Sequence, residues 1–124
     1  MERKTEILVV EDSFTQALLI QHVLEQADYR VGLARNGVEA LNYLRGRKPD
    51  LVVSDIIMPE MDGYEMCRRI KADDTLKHIP VMLLTSLSDP EDVIRGLACG
   101  ADNFITKPYK EAFLLARIET ILAN

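Results

Sequence analysis

Five residues with charged or hydroxyl side chains stand at or just beyond the ends of short apolar runs. They are Glu11, Asp12, Asp55, Thr85 and Lys107. The runs themselves lie far apart in the sequence, at 7–10, 51–53, 81–84 and 104–106. If these runs are parallel strands of one sheet, their carboxyl ends share an edge, where open α/β sheets bind ligands. The pattern therefore predicts one crevice with three carboxylates, a hydroxyl and an ammonium group.

The charges in such a crevice indicate its chemistry. Three closely packed carboxylates repel one another, and a single lysine leaves two negative charges for a divalent cation to offset. A site with oxygen ligands and no nearby His or Cys favours Mg²⁺. A carboxylate that takes up a phosphoryl group needs this setting of metal, cation and hydroxyl. Each residue alone has an ordinary structural explanation, but the coincidence of all five favours a functional site.

The apolar runs have the composition of buried strands. Residues 7–10, 51–53 and 81–84 are almost continuously apolar, which is typical of strands covered on both faces in a parallel sheet. The run at 103–106 is weaker. A fifth candidate at 29–34 is less apolar and is expected nearer an edge of the sheet.

Helical patterns fill the segments between the strands. Capping residues precede four of them, namely Ser13, Asn36, Asp62 and Asp89. The first three stand three residues before Gln or Glu, and the fourth precedes a proline, as at helix N-termini. A last helix is predicted at about 110–122. Strand and helix thus alternate five times, which predicts an α/β fold with a parallel sheet and helices on both faces.

Length, charge and composition argue against several classes of protein. The chain has 124 residues, which predicts one domain over 1–124. A net charge of −5 disfavours nonspecific binding to nucleic acid or to an anionic membrane. Cys67 and Cys99 form no CxxC pair, so neither a zinc site nor a disulfide framework is expected. With no apolar run near ~20 residues and no room for a signal peptide, we expect a cytoplasmic protein.

The motifs, in their order, resemble the receiver domain of two-component response regulators, including the single-domain chemotaxis type. They are Glu11-Asp12, the segment 55–63, Thr85-Ser86, Gly100-Ala101-Asp102 and Lys107-Pro108. The resemblance extends from Ile7 to about Leu122. It implies a flavodoxin-like, doubly wound sheet of five parallel strands in the order 2-1-3-4-5, flanked by five helices.

The resemblance also implies the roles of the acidic residues. Asp55 would accept a phosphoryl group from a phosphohistidine on a histidine kinase or a histidine phosphotransfer protein. Asp12 and Asp55, together with the main-chain carbonyl of Ile57, would bind Mg²⁺. Glu11 would assist through a metal-bound water.

The remaining motif residues would sense the phosphoryl group. Lys107 and Thr85 would hold its oxygens, and Phe104 would turn inward as Thr85 moves. The bond between Lys107 and Pro108 is expected to be cis. The surface of the fourth helix, fifth strand and fifth helix would then change for a downstream effector or output domain, and this surface is also a candidate homodimer interface.

Two positions that flank the phosphoryl group in this family hold apolar residues in this sequence. They are Ile57 and Leu87, the second residues after Asp55 and Thr85. Both are apolar, so neither can orient a water for attack on the phosphoryl group. We therefore predict a long-lived phosphoryl group.

Three alternative functions have different requirements. A phospho-aspartate phosphatase of the haloacid dehalogenase type would need an acid at Ile57, and a flavodoxin would need a phosphate-binding loop in place of Glu11 and Asp12. A pseudo-receiver that serves only as a protein-binding scaffold is the third alternative. The expectation is a phosphoacceptor rather than an enzyme, either complete or leading a longer signalling protein. The sequence has no DNA-binding, cyclase or kinase motif, so any output lies outside it.

Overall fold

Strands and helices alternate along the computed structural model, which describes residues 4–86 and 89–123. The strands are β1 (Glu6–Val10), β2 (Arg30–Ala34), β3 (Leu51–Asp55), β4 (Val81–Thr85) and β5 (Asn103–Thr106). The helices are α1 (Phe14–Gln26), α2 (Gly37–Gly46), α3 (Gly63–Ala72), α4 (Pro90–Ala98) and α5 (Glu111–Ala123). In the described part of the chain, no helix is long and apolar enough to cross a membrane.

The five strands form one parallel sheet in the order β2-β1-β3-β4-β5. This order confirms the predicted topology. The register brings the carboxyl ends of the strands level, since Val10 pairs with Ser54 and Thr85 pairs with Thr106. Residues that follow these positions therefore meet at a single edge of the sheet.

The central strands are buried on both faces, as their continuous apolar composition predicts. Alternate side chains of β1 enter two separate clusters: Leu8 packs with residues of α2 and α3, and Ile7 packs with residues of α1 and α5. The helices therefore cover both faces of the sheet. β2, the less apolar strand, lies at an edge.

All four predicted N-cap residues stand directly before a helix. The side chains of Ser13, Asn36 and Asp62 each accept a hydrogen bond from the main-chain N–H three residues later. Asp89 is the N-cap residue of α4 and precedes the proline in its first turn, as predicted, but its side chain makes no cap hydrogen bond. The N–H of Asp92 donates instead to the main-chain carbonyl of Asp89, at 3.0 Å.

A polar cluster fixes the amino end of β1 to α2, on the side of the sheet away from the predicted crevice. Glu6 is buried and accepts hydrogen bonds from the Tyr43 hydroxyl and, at 2.8 Å, from Arg47 Nη2. Burial alone would raise the pKa of Glu6, but the hydrogen bonds from Arg47 and Tyr43 outweigh it and lower the pKa. The carboxylate is therefore kept charged and satisfied.

The start of α3 packs directly on the main chain that follows β3. The N–H of Gly63 donates to the carbonyl of Ile56 at 2.8 Å. A Cβ at Gly63 would lie 2.5 Å from the carbonyl oxygen of Asp55 and 3.0 Å from the Cα of Ile56. Since both atoms belong to the backbone, they cannot move aside as a flexible side chain would. The absence of a side chain at Gly63 therefore sets how closely α3 approaches the end of β3.

Gly63→Ala should destabilise the protein by about 1–3 kcal/mol, the usual cost of forcing extra atoms into a packed site. Gly46→Ala is the matched control, because a Cβ there meets no atom within 4 Å. In that helical position alanine should be neutral or stabilising by about 0.5–1 kcal/mol. Urea denaturation of both variants measures the difference. Equal stabilities would contradict the close packing at Gly63.

Candidate functional site

Three carboxylates meet at the carboxyl edge of the sheet. Glu11 and Asp12 follow β1, Asp55 ends β3, and one carboxylate oxygen of each lies within 4.8 Å of the others. Glu11 is buried, Asp55 is partly buried and Asp12 is exposed. The cluster is therefore closed on the side of the sheet and open to solvent at Asp12.

The two carboxylate oxygens of Asp55 have different surroundings. Oδ1 accepts a hydrogen bond from the N–H of Ile56 at 2.8 Å, which fixes the orientation of the carboxylate. Oδ2 lies 3.4 Å from Lys107 Nζ. The side chain of Asp55 is 18% exposed, so a small reagent can approach it.

Lys107 joins three elements at this edge. Its Nζ lies 3.4 Å from Asp55 Oδ2, 3.8 Å from Glu11 Oε1 and 3.2 Å from the side-chain oxygen of Gln16. Its main-chain N–H donates to the carbonyl of Thr85 at 2.6 Å. The peptide bond between Lys107 and Pro108 is cis. The ammonium group is thus held between β1, β3 and α1.

Sequence reasoning missed the contact between Gln16 and Lys107. The spacing of Gln16 from Ser13 indicated a reciprocal capping box, in which the glutamine side chain would reach back to the N–H of Ser13. That N–H donates instead to Glu11 Oε2 at 3.2 Å. The Gln16 side chain is therefore available to Lys107. Nothing in a local spacing rule could reveal this contact between residues 91 positions apart.

Burial and mutual repulsion make it unfavourable for all three carboxylates of the cluster to be ionised. Burial raises the pKa of Glu11 to about 7, and the neighbouring carboxylates of Asp55 and Asp12 act in the same direction. The N–H of Ser13 and the ammonium group of Lys107 offset only part of this rise. A further positive charge at the cluster would therefore stabilise all three carboxylates in their ionised form.

The donor set fits Mg²⁺. It consists of carboxylate oxygens alone, the ligands that this hard cation prefers, and it is open to solvent at Asp12 for the waters that Mg²⁺ retains. Among the described residues, Glu11, Asp12 and Asp55 are the one group of His, Cys, Asp or Glu side chains close enough together to hold a metal ion.

The other predicted site residues lie around this cluster. Thr85 is the last residue of β4 and is buried. Ile57 lies in the loop after β3, with its side chain 62% exposed. Phe104 of β5 is partly buried and lies against α4, where a Cβ at Gly96 would come within 2.8 Å of the ring. Leu87 lies outside the described residues.

Comparison with known proteins identifies the fold and the family. The family model for the response regulator receiver domain matches residues 7–119. The chain belongs to this family. Receiver domains of response regulators are the signal-receiving modules of two-component systems, so the predicted fold and family are both confirmed.

Relatives place this receiver domain among bacterial signalling proteins. It is 40% identical over 115 residues to the response regulator PleD of Caulobacter vibrioides, covering 93% of this chain and 25% of PleD. The chain thus spans about a quarter of the length of that relative.

Two solved structures show the same fold. The receiver domain of a signal transduction histidine kinase from Syntrophus aciditrophicus is 52% identical, with a TM-score of 0.92 and coverage of 96% of this chain and 90% of that one. The receiver domain of the sensor histidine kinase PA1611 from Pseudomonas aeruginosa is 28% identical, with a TM-score of 0.91 and coverage of 98% and 100%. The latter has a magnesium ion coordinated in its active site cleft.

Asp12→Asn should weaken Mg²⁺ binding by roughly tenfold or more, because loss of even an outer-shell partner costs that much at metal sites. Asp74→Asn changes the net charge equally, but its side chain is 91% exposed and pairs with Lys77. Isothermal titration with Mg²⁺ compares the two variants with the parent. An equal loss in both would mean that Mg²⁺ responds to the overall charge rather than to this cluster.

Proposed function

We propose that this receiver domain accepts a phosphoryl group on Asp55 in a reaction that depends on Mg²⁺. The observation that carries the proposal is the position of Asp55 Oδ2, which faces Lys107 Nζ at 3.4 Å beside two further carboxylates. One oxygen of Asp55 is held by a main-chain N–H, and the other is directed at a cation. This arrangement supplies both a nucleophile and a partner for the incoming charge.

The reaction is a transfer from nitrogen to oxygen. Asp55 Oδ2 attacks the phosphorus of a phosphohistidine on the donor protein, the P–N bond breaks, and an acyl phosphate forms on Asp55 while the imidazole leaves. When bound at Glu11, Asp12 and Asp55, Mg²⁺ would offset the charge that carboxylates and phosphoryl oxygens bring together. The main-chain carbonyl of Ile57 is the further proposed ligand.

Lys107 and Thr85 are the proposed contacts of the phosphoryl oxygens. Lys107 is held at the edge by Gln16 and by the main chain of Thr85, so its ammonium group needs no large movement to pair with a new oxygen on Asp55. Thr85 ends β4, the strand next to β3, and can donate its hydroxyl to the same group. Both contacts exist only when the phosphoryl group is present, so they favour a different conformation of the domain.

The magnitudes indicate that the Thr85 contact alone cannot complete the switch. Shifting an equilibrium from 1:99 to 99:1 requires about 5.5 kcal/mol. A hydrogen bond to a charged group contributes roughly 1.5–3 kcal/mol. We propose that a partner on the surface of α4, β5 and α5 supplies the remainder, with Phe104 turning inward as Thr85 moves. Ile94 and Leu97 of α4 and Phe113 of α5 are exposed apolar residues on this surface.

The partners follow from the family and from the site. We propose a histidine kinase or histidine phosphotransfer protein as the donor, and an output domain or separate effector as the receiver of the signal. The span of a quarter of PleD is compatible with a receiver that precedes further domains in a longer cytoplasmic protein. A homodimer through α4, β5 and α5 is the proposed assembly, and no direct contact with nucleic acid or membrane is proposed.

Incubation with acetyl phosphate and Mg²⁺ should add the mass of one phosphoryl group to the protein. Asp55→Asn should abolish this gain, because the amide is not a nucleophile for phosphorus, and Asp74→Asn should retain it. Intact-protein mass spectrometry measures all three. No gain in the parent, with Mg²⁺ still bound, would favour a pseudo-receiver that acts only as a binding scaffold.

Ile57→Asn should shorten the lifetime of the phosphoryl group, because the amide can orient a water that the exposed isoleucine cannot. Leu19→Asn is a matched control, since Leu19 is 63% exposed on α1 and Ile57 is 62% exposed. The decay of the phosphorylated mass after removal of acetyl phosphate gives the lifetime. Identical decay of the parent and Ile57→Asn would contradict the prediction.

A further inference from the structure

Helix α4 buries few of its residues against the core of the domain. Of its nine residues only Gly96 is buried, whereas Ile94 and Leu97 are 63% and 66% exposed. The cap residue Asp89 makes no side-chain hydrogen bond to the helix. The position of α4 must therefore depend on a small number of specific contacts with its neighbours.

Two buried side chains of α3 reach the two ends of α4. The hydroxyl of Tyr64 donates to the main-chain carbonyl of Asp92, in the first turn of α4, at 3.0 Å. The thiol of Cys67 makes a weaker contact with the carbonyl of Cys99, the C-cap residue, at 3.5 Å. Since Tyr64 and Cys67 are three residues apart, they are neighbours on one face of α3. This face of α3 therefore holds α4 at both ends.

Tyr64 makes the stronger of these two contacts. Its side chain is 2% exposed, and the guanidinium group of Arg95 on α4 lies over its ring, 4.4 Å from the centroid. Such a cation–π pair adds to the hydrogen bond made by the same side chain. Burial raises the pKa of Tyr64, so its hydroxyl remains a donor at neutral pH. α4 therefore contacts Tyr64 through both Asp92 and Arg95.

Tyr64 is also joined to the loop that follows the proposed phosphoacceptor. It comes directly after Gly63, whose N–H donates to the carbonyl of Ile56 and where an added Cβ would clash with the main chain of Asp55. A change at Asp55 that displaces this loop would move the start of α3, and Tyr64 with it. Covalent and hydrogen-bonded links thus connect Asp55 to α4 through Tyr64.

We propose that Tyr64 is a positioning residue that holds α4 in the place seen here and thereby opposes the switch. This inference rests on the proposed function, because it requires the phosphoryl group on Asp55 to favour another position of α4. The hydrogen bond to Asp92 stabilises only the position in which it is made. Its removal should leave the fold intact and make the alternative position easier to reach.

The first experiment measures the hold on α4 without using Asp55. In Tyr64→Phe, hydrogen exchange of the main-chain amides of 90–98 should quicken by roughly three- to tenfold, the effect of losing one net hydrogen bond. Tyr43→Phe is the matched control, because it also removes one tyrosine hydroxyl but on α2, from Glu6. It should leave α4 unchanged. Unchanged exchange of α4 in Tyr64→Phe, or a rise shared by every strand, would overturn the proposal.

The second experiment measures the switch with beryllofluoride and Mg²⁺ as a mimic of the phosphoryl group. Tyr64→Phe should bind beryllofluoride roughly three- to tenfold more tightly than the parent, because no hydrogen bond to Asp92 has to break. Equal or weaker binding would overturn the role in switching. If neither protein binds beryllofluoride, the proposed function itself fails, whereas the exchange of α4 still decides whether Tyr64 holds the helix.

Discussion

Repulsion among the carboxylates of Glu11, Asp12 and Asp55 is the constraint on which the rest of the structure depends. Their oxygens lie within 4.8 Å, and Lys107 supplies the nearby positive charge. Burial raises the pKa of Glu11 to about 7, and the neighbouring carboxylates of Asp55 and Asp12 act in the same direction. The crowded charge is therefore what the proposed Mg²⁺ would offset.

The remaining architecture holds this cluster in place and connects it to a surface. The parallel register brings the ends of β1, β3 and β4 together, and the glycine at 63 lets α3 begin directly on the main chain of Asp55. α3 then contacts both ends of α4 through Tyr64 and Cys67. Hydrogen bonds and close packing therefore connect the acidic cluster to α4, the helix with the fewest buried residues among those described.

Much of this arrangement could be predicted from the sequence, and the misses have physical reasons. Continuous apolar runs identified the buried strands, and the residues after them identified the crevice. Local spacing also identified Asp89 as the N-cap of α4, but it could not reveal that the Asp89 side chain makes no cap hydrogen bond. The contacts of Gln16 with Lys107 and of Tyr64 with α4 could not be predicted, since they join residues distant in sequence and leave no periodic pattern. The strand order came from the family resemblance and not from the residues alone.

Chemical trapping can identify which of the clustered carboxylates carries the phosphoryl group. The protein is treated with acetyl phosphate in Mg²⁺ or in chelator, the acyl phosphate is reduced with borohydride, and the reduced residue is located by peptide sequencing. We expect reduction at Asp55 alone, and only in Mg²⁺. Reduction at Glu11 or Asp12, or equal reduction at Asp55 in chelator, would contradict this expectation.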